Sequence, residues 1–99
     1  MVYSYSFVDI AQEEYEDAIN WYADRSLVAA GGFVDAVDHA LTLICDSPSR
    51  WRNVYKDYYE LALKKYPYSI VYNINDTINL VVVNSIYHHS RNPKRKYRK

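Results

Sequence analysis

The chain opens on an alternation. Tyr3, Tyr5 and Phe7 fall on one side of residues 2–7 and Ser4 and Ser6 on the other. A period of two predicts a strand. The period then lengthens: Ala11, Tyr15, Ala18, Ile19 and Tyr22 recur at helical spacing, with Glu13, Glu14, Glu16 and Asp17 opposite them. This predicts an amphipathic helix over 9–24, with Asp9 as its N-cap and acidic residues near the positive end of the helix dipole. A second stripe, Phe33, Val37, Ala40, Leu41 and Ile44, predicts a second helix capped by Ser26. Asp46-Ser47-Pro48 ends it, because proline cannot continue a helix and disfavours helical geometry in the residue before it. Gly31-Gly32 lies within its first turns at about 1 kcal/mol per glycine in helix propensity, which implies that the two helices approach closely there. A short link between two such helices makes an antiparallel hairpin.

After Pro48 the period returns to two. Residues 51–55 read as a short strand. Residues 59–66 read as a better one, with Leu61 and Leu63 on one side and Ala62 and Lys64 on the other. Pro67 marks a bend or bulge, beyond which 68–74 continues with Ile70, Tyr72 and Ile74 in phase. Asn75-Asp76-Thr77 is a turn. Residues 78–86 are apolar on both sides at Leu80-Val81-Val82-Val83, the mark of a central strand. The predicted fold is α+β: an N-terminal strand, a helical hairpin, then a three- to four-stranded antiparallel sheet that the first strand rejoins. The hairpin covers one face of the sheet. The other face, with its Lys and Tyr side chains, is left for a partner.

Length bounds this to one domain, residues 1–99. A single cysteine, Cys45, excludes an intrachain disulfide and a zinc cluster, and its place on the second helical stripe marks it as inert core. No metal or other cofactor is expected. Residues 1–7 have neither a basic nor an apolar region of signal-peptide type, and the run 80–83 is too short to cross a bilayer, so a cytoplasmic protein with no membrane partner is expected. Formal neutrality hides a division. Residues 1–47 hold nine acids against Arg25 alone, a balance of −8, and residues 48–99 hold eleven bases against three acids, a balance of +8. The basic half, above all Lys94, Arg95, Lys96 and Arg98 in the 91–99 tail, is the candidate nucleic-acid surface, although such a tail can equally be a solvated end.

Three stretches together resemble a known family. The run Glu14-Tyr15-Glu16-Asp17-Ala18-Ile19-Asn20-Trp21-Tyr22, followed by Gly32-Phe33, Val37-Asp38-His39-Ala40-Leu41, Ile44 and Pro48, is similar to the helical hairpin of the RelE/ParE toxin superfamily, especially its ParE-like branch. Leu63-Lys64-Lys65-Tyr66-Pro67-Tyr68-Ser69-Ile70-Val71-Tyr72 resembles that family's strand-bulge-strand motif. Ile86-Tyr87-His88-His89-Ser90-Arg91-Asn92-Pro93 resembles its closing H-x-x-R-N/D-P signature. The resemblance implies a type II toxin, neutralised in a heteromeric complex by a cognate antitoxin that folds onto an exposed groove and sheet edge.

It implies one of two targets. ParE-like members inhibit DNA gyrase without hydrolysis, and RelE-like members cut mRNA in the ribosomal A site, so whether the chain is an enzyme stays open. The ParE-like reading is preferred, and a folded but inactive module component is a third reading. Cleavage by a 2′-hydroxyl needs proton transfer and cations around the phosphorus. Lys64, Lys65, Arg91, Arg95 and Tyr97 are the candidates for charge and stacking, and His88 or His89 for the proton. Each has a plainer reading: a solvated strand charge for either lysine, a strand-end hydrogen bond for His88, a cap or ion pair for Arg91. The sequence departs from the family at Tyr59, where an arginine commonly stands, so the guanidinium that would clamp a phosphate there is missing.

Overall fold

The structure, a computed structural model, describes residues 3–90. Strand β1 spans Ser4–Phe7, helix α1 Asp9–Ala23 and helix α2 Leu27–Asp46. A 3-10 turn at Pro48–Arg50 leads to β2 (Arg52–Tyr55), β3 (Tyr58–Ala62), β4 (Tyr68–Asn75) and β5 (Leu80–His88).

Both helices lie where the periodicity puts them, with one change at a cap. Val8, in extended geometry, precedes the first turn of α1 without a side-chain cap, and Asp9 is the first helical residue, acting through the helix dipole. Ser26 does cap α2: its Oγ accepts from the Ala29 N–H at 3.2 Å. The five stripe residues of α2, Phe33 to Ile44, are all buried. At 20 residues and mean hydropathy 1.5, α2 is long and apolar enough to cross a membrane by length and composition. Here its apolar stripe packs into the core, against Ile70, Tyr72, Val81, Val83 and Ile86 of the sheet.

The glycines do not serve helix–helix contact. A Cβ at Gly31 would meet open space, and one at Gly32 would collide with the Tyr66 hydroxyl. Gly32 therefore makes room for a phenol from the sheet side. Tyr66 packs edge-on against Tyr22 (5.3 Å) and Phe33 (5.5 Å).

The sheet has five strands in the order β1-β5-β4-β3-β2. The four C-terminal strands pair antiparallel in succession, as short turns dictate. β1 joins them as a parallel partner of β5, with Ser4 opposite Leu80 and Phe7 opposite Val83, so the sheet is mixed. The antiparallel expectation rests on short turns, and β1 reaches the sheet only through the helical hairpin. β5, apolar on both faces, takes two neighbours and is central, as its composition predicts.

Two sequence readings change. Residues 59–66 and 68–74 are not one bent strand: β3 ends at Ala62, and residues 63–67 reverse the chain into β4, closed by Leu63 N–H to Tyr68 O at 2.9 Å. The face away from the helices is also not open at its centre. Tyr58, Val71 and Tyr87 are buried there as a second cluster, with Val54 packed against it.

Candidate functional site

The β3 strand and the loop after it stand apart from α2, and the space between them is a groove of about 550 Å³. Gly32, Ala36 and Ala40, four residues apart, give α2 a smooth wall. Leu61 and Leu63 form the opposite side, and Trp51 and Leu43 line it as well. The Trp51 indole is held in place by Nε1 donating to Leu43 O at 3.5 Å, with the Arg50 guanidinium 4.8 Å over its ring. The surface is apolar with charged lips. Lys64 and Lys65 stand on the loop side and Asp35 and His39 on α2, all four exposed.

This placement revises the reading of the lysines. They do not alternate across a strand, because the strand has ended at Ala62; both sit in the loop and both line the groove. His88 lies elsewhere, bordering a separate hollow against Asp17, Trp21 and Tyr22 of α1. Its ring meets Tyr68 edge-on at 4.9 Å. Its Nδ1 accepts from the Ser90 N–H at 3.1 Å and lies 2.7 Å from Ser90 Oγ. His89 turns the other way, with Nε2 2.9 Å from Ser69 Oγ. Arg91, Lys94, Arg95, Lys96, Tyr97 and Arg98 lie outside the described residues. Among the described residues no group of three or more His, Cys, Asp or Glu side chains could hold a metal.

Tyr59 is a packed residue. Opposite Tyr72 in the β3–β4 register, it stacks on that ring at 5.6 Å and 18°. Tyr72 is fully buried and donates to the Pro48 carbonyl at 2.6 Å; burial pushes its phenol well above the ordinary tyrosine value. Burial also raises the Cys45 thiol, as suits an inert core cysteine.

A family comparison bears on these positions. The model for the ParE toxin of the type II toxin–antitoxin system parDE matches residues 5–93. The chain belongs to this toxin family. No curated protein sequence matches it. Among solved structures, a chain of the chromosomal ParDE system from P. aeruginosa is similar with a TM-score of 0.73 at 11% identity, over 88% of this toxin and 96% of that chain. A chain of the intact E. coli RelBE toxin–antitoxin complex gives 0.63 at 20% identity, over 90% and 99%. The isolated E. coli RelE toxin gives 0.63 at 19% identity, over 93% and 89%. At such identities these likenesses speak to the fold.

Two residues of this toxin's architecture escape a reading by periodicity. Glu14 belongs with the solvated acids of α1 by spacing, yet it is 8% exposed and accepts from Ser85 Oγ at 3.0 Å and the Ile86 N–H at 3.2 Å. The register between β4 and β5 slips beside this point, Val71 facing Ser85 and Tyr72 facing Val83, so Asn84 is the extra residue of a bulge. His39 is the other: a lone histidine on the polar side of α2 becomes a groove residue only once β3 is placed beside it.

Proposed function

We propose that this toxin is held silent in the cytoplasm by a cognate antitoxin and, when released, inhibits DNA gyrase by binding to it rather than by hydrolysis. One observation carries the choice of target. Of the candidate ribonuclease residues, those among the described residues line different hollows: Lys64 and Lys65 open on the α2–β3 groove, and His88 borders the hollow against α1 with Nδ1 engaged by Ser90. Tyr59, at the family's usual arginine position, is a stacked aromatic and offers no charge to a phosphate. A binding inhibitor needs no such constellation. The match to the ParE family model supports the same target, and the solved ParDE and RelBE systems, each named as a toxin–antitoxin system or complex, support an antitoxin partner.

The paired lysines favour the ribonuclease reading to a degree, since two adjacent exposed cations suit a phosphate backbone. Supercoiling by purified gyrase and cleavage of mRNA on programmed ribosomes separate the two. The expected result is impaired supercoiling with trapped double-strand breaks and intact message. Cut message with normal supercoiling would reverse the assignment, and the absence of growth arrest on induction without antitoxin would mark an inert module component.

A further inference from the structure

The two edges of the sheet are built differently. β2, at one edge, carries Arg52, shifts its register against β3 between Asn53 and Tyr55, and runs into Lys56 at a left-handed φ of 49°. A charge and a bulge are the usual guards against a further strand adding on. β1, at the other edge, has neither. Residues 2–8 contain no Asp, Glu, Lys, Arg or Pro, and the pairing with β5 runs in unbroken register. Only half of its backbone serves that pairing. Ser4 N–H donates to Asn79 O and Val8 N–H to Val83 O, both at 3.0 Å. A parallel ladder engages alternate residues, so Ser4, Ser6 and Val8 turn their backbone groups toward β5, and Tyr5 and Phe7 turn theirs away. On that outer side, among the described residues, no strand lies next to β1. Tyr3 N–H, on the same side, donates to the Cys45 carbonyl at 3.3 Å, so the open ladder begins at Tyr5 and ends at Phe7. Exposed apolar side chains surround it: Tyr5 on the strand, Ile78 beside its start, and Ile10 in the first turn of α1 beyond its end.

We propose that β1 pairs antiparallel with β1 of a second copy of this chain, making one sheet continuous across a two-fold axis. The register follows from the two open residues. Tyr5 of one copy lies opposite Phe7 of the other, each such pair exchanging both N–H···O bonds, and the axis passes between the two Ser6 residues as a non-hydrogen-bonded pair. The edge is its own complement. Its donors and acceptors match under the two-fold, and no like charges within the strand are set opposite one another. Reversing one copy also places the Ile10 end of one strand beside the Ile78 end of the other, so that exposed apolar side chains meet. A strand this short makes a weak dimer, populated at about micromolar concentration and above. The inference goes beyond the target reading and does not depend on it.

The full-length chain alone, followed by analytical ultracentrifugation across the micromolar range, is expected to pass from monomer to dimer. Tyr5→Lys sets a charge on the edge, and Tyr5→Pro removes an N–H that points away from β5. Each, checked for native circular dichroism, is expected to raise the dissociation constant at least about tenfold. Tyr55→Lys, on the β2 edge, is expected to leave it unchanged. Ser6→Cys is expected to form an intermolecular disulfide on mild oxidation, because non-hydrogen-bonded partners stand about 4.5 Å apart at Cα, within disulfide reach. Ser4→Cys, which falls opposite Val8 of the other copy, is expected to stay uncrosslinked, and the native Cys45 is buried. A chain that remains monomeric throughout, or a dimer untouched by both Tyr5 variants, overturns the proposal. So does crosslinking at Ser4→Cys in place of Ser6→Cys. If Tyr5→Pro fails to fold, Tyr5→Lys and the crosslink decide. If the Tyr5 and Phe7 amides gain protection from exchange only when the polypeptide encoded next to this gene is added, the edge belongs to that partner and the proposal fails.

Discussion

The Tyr72 hydroxyl donates to the Pro48 carbonyl across 24 residues of chain, at 2.6 Å and out of contact with solvent. The bond ties the end of α2 to the middle of β4. Tyr72→Phe leaves the ring stacked on Tyr59 but strands a carbonyl, at a cost of about 1–3 kcal/mol. The bond also sets an alkaline limit. The folded-state phenol is raised above its ordinary value of 10.0, so the native chain keeps a proton that the unfolded chain releases. The stabilisation is complete below that value and declines as pH rises through it toward the folded value. Tyr15 and Tyr58, raised by burial, add in the same direction. Urea midpoints at about pH 8 and about pH 11 are expected to fall less steeply with pH in Tyr72→Phe than in the wild type.

The two glycines of α2 are expected to respond in opposite ways. A Cβ at Gly31 meets nothing, so Gly31→Ala gains helix propensity and should raise stability by about 0.5–1 kcal/mol. At Gly32 the same change displaces the Tyr66 phenol from its place against Tyr22 and Phe33, and thermal melting should show a loss. Adding Tyr66→Phe removes the colliding oxygen and should restore part of that loss. An unaltered melt for Gly32→Ala would mean that the phenol yields freely.

Glu14 illustrates what the sequence conceals. By spacing it is one more acid on a wet face. Its burial follows from the Asn84 bulge, which turns the Ile86 N–H toward α1, and a bulge 70 residues away leaves no trace in the local period. Glu14→Ala removes the acceptor of two hydrogen bonds and is expected to destabilise by about 2–4 kcal/mol, with faster amide exchange at Ile86. Glu14→Gln keeps an acceptor and should lose less.

The proposed inhibition of gyrase by binding assigns no proton to His88. The variant His88→Gln, which keeps a polar group at the strand end, is expected to arrest growth on induction as the wild type does. A harmless variant that still folds and binds antitoxin would draw the histidine into the mechanism.

Other parts of the molecule are plain from the sequence because they depend on neighbours in the chain. The α2 stripe of Phe33, Val37, Ala40, Leu41 and Ile44 and the Ser26 cap are local patterns, and the structure has them in place. The loop position of Lys64 and Lys65 is harder to read. Alternation continues past Ala62 in the sequence, but Pro67 offers no N–H to a ladder and the chain reverses ahead of it. The groove itself is a property of two elements that the sequence lists separately, α2 and β3, and its width is set by how the sheet sits beneath the hairpin. Residue types on each lip are visible in advance; their facing one another is not.

The edge pairing of β1 with β5 has a consequence for biogenesis. Among the described strands the first in sequence hydrogen-bonds to the last, so the sheet cannot be completed until β5 has been made. Contacts this far apart in sequence carry a large loop-closure cost and form late, and until β5 arrives β1 has no strand of its own chain to pair with.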